Sequence, residues 1–179
     1  LGLNQDQRGA ASLLGLFMIV AILAVGALSV DLAGHFWLKV AVEQKLNLAC
    51  RSAAAQLNEE DLKNLLLVID QDRAARSFYE VLRANLVLDA ALAPRAGSIL
   101  KAGAVQVEYF KVINPADLPF TYTWGGYAET VNRTAVAAVI SFPVKSGFLT
   151  QLAGGAAETI MYCHITAAPE LISRPADQI

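Results

Sequence analysis

The stretch that most constrains this chain is residues 9–30, GAASLLGLFMIVAILAVGALSV, with no charge between Arg8 and Asp31. About 22 residues at ~1.5 Å each make a helix of about 33 Å, enough to cross a ~30 Å hydrocarbon core where a helix satisfies its own backbone. The competing reading, a buried helix of a soluble protein, calls for a polar face, and this segment has none. The segment is too long for the apolar core of a signal peptide, and Gly26-Ala27 ahead of Asp31 is a poor cleavage site, so a retained anchor is expected.

Beyond Asp31 the sequence keeps a helical rhythm without proline, with Leu46, Ala49, Ala53 and Leu57 returning at spacings of three and four. One rod to about residue 57 follows, with Lys39 and Glu43 one turn apart and able to pair. Residues 1–8 read as a flexible or lightly docked lead-in. Asn58 before Glu59, Glu60 and Asp61 starts a short helix through Leu66, and Asp70 caps another over residues 71–86, whose Ala74, Phe78, Val81, Leu82 and Asn85 form a core-facing stripe.

After Pro94 and Gly97 the pattern changes. Residues 104–113, 134–142 and 158–166 are rich in β-branched and aromatic residues and read as three antiparallel strands covered on one face by helix. Residues 114–133 between the first two read as a long loop, residues 143–155 as a turn with one short helix, and residues 170–179 as a polar tail. The expected class is α+β: residues 1–57 form a long N-terminal hydrophobic helix and its extension, and residues 58–179 form a small head of helices packed on a roughly three-stranded antiparallel sheet.

The 179 residues carry a net charge of -2 with both signs dispersed, which leaves no basic stripe for nucleic acid. No GxSxG, HExxH or glycine-rich phosphate loop occurs, so neither enzymatic activity, a catalytic residue nor a cofactor is expected. His35 and His164 lack nearby ligands, so no metal site is expected. Asn132-Arg133-Thr134 matches the glycosylation acceptor pattern. Cys50 and Cys163 allow either one disulfide closing a loop of roughly 100 residues or two unrelated buried thiols. Phe120, Tyr122, Trp124 and Tyr127, beside Gly125 and Gly126, are the candidates for a partner or ligand surface, the alternative being a loop folded over its own sheet.

Gln7-Arg8-Gly9-Ala10-Ala11, the apolar helix, Val30-Asp31, Gln44-Lys45-Leu46 and the alanine-rich residues 48–55, followed near the C-terminus by Phe142-Pro143-Val144, Phe148-Leu149, Gly155 and Ala167-Ala168, resemble TadE/TadG-like pilus proteins. The resemblance covers both ends of the chain and leaves out the aromatic segment. Many such proteins carry a glutamate at the position of Leu14. The resemblance implies a pilin-like subunit, resident in the inner membrane and then polymerised with copies of itself into an extracellular adhesive filament by the pilus assembly machinery. Helix packing would then use the small residues Ala10, Ala11, Gly15, Ala21, Ala24, Gly26 and Ala27. The alternative is a membrane-anchored minor pilin, assembly protein or adhesin that binds partners or glycans.

Overall fold

The computed structural model describes residues 3–145, 147, 154 and 158–170, with side chains from residue 12 onward. Helix α1 (Leu3–Ala54) is continuous. It already includes residues 3–8, in place of the expected lead-in. Its most apolar 18-residue window has a mean hydropathy of 2.7 and none of it is buried within the chain. Further along, Val42, Leu46, Ala49, Cys50 and Ala53 are fully buried on one side. One helix thus projects as an apolar rod and ends as a core element of the head.

Helix α2 (Glu59–Lys63) is capped by Asn58, whose Oδ1 accepts the Glu60 N–H at 3.0 Å. It stops short of Leu66 because Leu65 sits at φ 60, in the left-handed region. Helix α3 (Gln71–Leu86) opens on Asp70, whose Oδ1 accepts the Arg73 N–H at 3.0 Å, and closes on Val87 at φ 54. Ala74, Phe78, Leu82 and Leu86 are its buried stripe. Val81 and Asn85 flank that stripe half-buried. Each large apolar side chain of the stripe stabilises the head by about 1.5–3 kcal/mol.

Five strands follow: β1 (Gln106–Ile113), β2 (Phe120–Trp124), β3 (Tyr127–Val131), β4 (Ala135–Lys145) and β5 (Glu158–Ala167). β1, β4 and β5 form an antiparallel sheet in the order β1-β4-β5. Alternation divides central β4 between two faces. Val136, Ala138, Ile140, Phe142 and Val144 join Val112, Cys163 and Ala167 beneath α1 and α3, while Ala135 and Ala137 belong to a second cluster with Ile113, Tyr122 and Val131. Phe78 meets Phe110 with ring centroids 4.6 Å apart, tying α3 to β1, while α1 passes over β5 where the Cys163 thiol lies 4.0 Å from the Lys39 carbonyl.

That crossing corrects the disulfide expectation. Cys50 and Cys163 are both buried and free. Cys163 meets α1 at Lys39, eleven residues before Cys50, which is about 16 Å along a helix and beyond the ~7 Å Cα separation a bridge tolerates. The long aromatic loop is also corrected, because most of it is a β2–β3 hairpin paired from Phe120↔Val131 to Trp124↔Tyr127. Gly125 at φ 53 and Gly126 at φ 84 make the two-residue turn, where consecutive positive φ values match the strand twist. The hairpin lies on the sheet face opposite the helices. The short helix expected within residues 143–155, and most of the polar tail, fall outside the described residues.

Candidate functional site

Two features have the character of a working surface: the projecting part of α1, and a cleft between the hairpin tip and β5. On the helix, Gly15, Ala21, Ala24, Gly26 and Ala27 all lie in the part that leaves the head, and a side chain added at Gly15 or Gly26 would meet nothing within 4 Å. Ala10 and Ala11 lie in the same helix, their side chains outside the described residues. At about 100° per residue, Gly15 and Gly26 fall within about 20° of each other, while Ala21 and Ala24 fall toward the opposite side. Small residues on two sides let a helix approach more than one neighbour closely.

The cleft has a volume of about 540 Å³ and is walled by Trp124, Tyr127, Tyr162 and His164, with Val139 at its floor. The hairpin supplies the first two and β5 the next two. The Tyr127 ring lies over His164 with centroids 3.7 Å apart at 37°. Trp124 and Tyr127 are thus at the surface, as the sequence suggests. Tyr122 is not, being 5% exposed and stacked on Tyr109 at 5.3 Å and 11°, and half-buried Phe120 sits beneath the Lys111 ammonium, 5.9 Å from its centroid. Tyr162 and His164 were legible only once β5 was placed in register, with Val139 opposite His164.

What holds the hairpin against β5 is a carboxylate. Glu129 Oε2 accepts hydrogen bonds from the hydroxyls of Thr166 at 2.7 Å, Tyr122 at 2.8 Å and Tyr127 at 3.1 Å. Partial burial pushes the Glu129 carboxyl up, but these three donors and the positive field of His164 outweigh it and hold the group below the usual carboxylate range. Burial, with the Glu129 charge adding to it, pushes the Tyr122 hydroxyl well above its ordinary value. Tyr127 is therefore pinned at both its ring and its hydroxyl.

The chain matches no protein-family model, no curated protein and no solved structure. Chemistry at the cleft is accordingly read from its own side chains. Its lining holds no carboxylate, lysine or arginine, so the walls offer aromatic faces, an imidazole and hydroxyls, which suit the flat apolar side of a sugar ring or a neighbouring side chain. Among the described residues no group of three His, Cys, Asp or Glu is placed to hold a metal ion. Thr134 of the glycosylation pattern is buried and donates to the Leu67 carbonyl at 2.9 Å.

Proposed function

We propose that this protein is a membrane-anchored structural subunit whose projecting helix leaves the bilayer to pack against other copies in a surface filament. The observation that supports this most is α1 itself, one helix in which the apolar part is left unburied by its own chain and the remainder is built into the head. Helix–helix association gains little hydrophobic energy relative to lipid, so close approach at Gly15, Ala21, Ala24, Gly26 and Ala27 supplies the packing. Inner-membrane residence before assembly, an extracellular filament afterwards and delivery by a pilus assembly machinery belong to this same reading.

Two substitutions at one position test it. Ala24→Glu places a charge where burial is costly in either environment, and surface filaments are lost. Ala24→Leu preserves hydropathy but removes the close approach, so the protein still fractionates with membranes while sheared filaments, counted by electron microscopy, become scarce. Normal filaments from both variants would refute packing through this helix. The cleft supports a second reading, an anchored adhesin or assembly protein that binds a glycan or partner. In that case Trp124→Ala abolishes attachment and leaves filament number unchanged.

A further inference from the structure

The lower end of the head meets α1 immediately above the apolar segment. His35 Nε2 lies 3.1 Å from the Lys145 carbonyl at the end of β4, and Gly147 lies against the Asp31 carboxylate. Asp31 directly follows Val30. The head therefore begins within about 8 Å of the end of the span, whereas the headgroup layer of a bilayer is about 5–8 Å deep on each side.

The side chains at this level are unlike those of an ordinary wet surface. Leu32 is 68%, Phe36 69%, Trp37 64% and Ile160 58% exposed. A groove of about 580 Å³ runs from Ser29 past Leu32 and Phe36 to Met161 on β5, with Lys39 at its upper rim. Its lower residue belongs to the span and its upper residues belong to the head, so it is continuous with the surface that faces lipid. The charges nearby come as neighbours of opposite sign: Lys39 with Glu43 at 3.8 Å, and Lys145 opposite Glu158 in the strand register. Aromatic rings, apolar surface and balanced charge together are the composition of the membrane interface.

We propose that the foot of the head, before any assembly, is seated in the headgroup layer, with phospholipid acyl chain entering the lower end of the groove at Ser29 and Leu32. This rests on the membrane-spanning reading of α1 and adds to it a fixed height for the head. Leu32 and His35 sit at the level of the carbonyls and headgroups, Phe36 and Trp37, about 9–10 Å above Val30, line the outer edge of that layer, and the first residues of β5 reach the same edge. Leu66, past the end of α1, stands in water, α1 itself rising about 35 Å between Asp31 and Ala54.

Nitroxide labels read this directly. Ile22→Cys, Ile160→Cys and Leu66→Cys each introduce a thiol at an exposed site, while Cys50 and Cys163 are fully buried and the unsubstituted protein serves as the unlabelled control. The full chain is reconstituted in vesicles of phosphatidylethanolamine and phosphatidylglycerol, and collision with oxygen, which favours lipid, is compared with collision with a water-soluble nickel chelate. Seating gives an oxygen-to-nickel ratio at residue 160 that is severalfold above that at residue 66 and below that at residue 22. A lipid-like residue 22 with a water-like residue 160 overturns the seating and leaves the span intact. Shielding of residue 160 from both reagents means that a second copy covers the face, which also overturns it. A water-like residue 22 overturns the span and the seating together.

Discussion

Replacing Tyr122 by Phe removes one hydroxyl and nothing else from the hinge between hairpin and sheet. That hydroxyl lies 2.8 Å from Glu129 Oε2 and 2.9 Å from Thr166 Oγ1. A hydrogen bond to a charged group contributes about 1.5–3 kcal/mol, and because the carboxylate is only partly buried the lower end applies, about 1.5–2 kcal/mol. For a unit of this size that lowers the melting temperature by about 5–8 °C. The measurement is thermal unfolding of the full chain in detergent micelles, followed by near-ultraviolet circular dichroism so that tyrosine and tryptophan packing rather than α1 dominates the signal. Glu129→Gln and the double variant complete a cycle, with a coupling of about 1 kcal/mol expected. The pH dependence has a definite sign. A carboxyl with a lowered folded pKa contributes stability that is present above its unfolded pKa and is lost as pH falls through the folded one, below the usual carboxylate range. The Tyr122→Phe deficit therefore shrinks on acidification through that window. Additive single-variant effects, within about 0.3 kcal/mol, or a deficit that stays constant with pH, would refute a charge-assisted hinge.

Two further predictions follow from the packing. Gly103 at φ 46 faces Pro143 so closely that an added Cβ would overlap its ring, whereas Gly97 at φ 92 has open space around it; Gly103→Ala is expected to destabilise by about 2–4 kcal/mol and Gly97→Ala by about 1–2 kcal/mol in the same unfolding assay. Burial, with Glu43 adding to it, raises the Cys163 thiol to about 12, and Cys50 is equally enclosed, so neither is expected to alkylate in the native protein. In denaturant without reductant both should take up one adduct each by mass spectrometry; no adducts would show a bridge.

The elements with strong periodicity or end signals were legible from residues alone. Helix α3 announces itself twice, by Asp70 as a cap and by the spacing of Ala74, Phe78 and Leu82, and its observed bounds coincide with the expected ones. The three long strands stand out because their β-branched runs are bounded by turn residues. The hairpin was missed because the prolines at 115 and 119 and the polar Thr and Glu residues dilute its alternation, although Gly125-Gly126 between Trp124 and Tyr127 is itself a hairpin signal. The cleft was half legible: its hairpin wall stands out as a cluster of aromatics, but its β5 wall depends on strand register, which a local pattern does not encode. The separation of the cysteines depends likewise on where β5 crosses α1, a long-range fact.

The absence of any break between the apolar part of α1 and its buried part makes the helix a lever rather than a tether. A flexible linker would let the head turn freely over the apolar segment, whereas here every rotation of α1 about its axis turns the cleft with it. A tilt of only about 10° about the foot of the head carries residue 54 sideways by about 6 Å. Whatever the apolar end of the rod touches therefore sets the direction in which Trp124 and Tyr127 face.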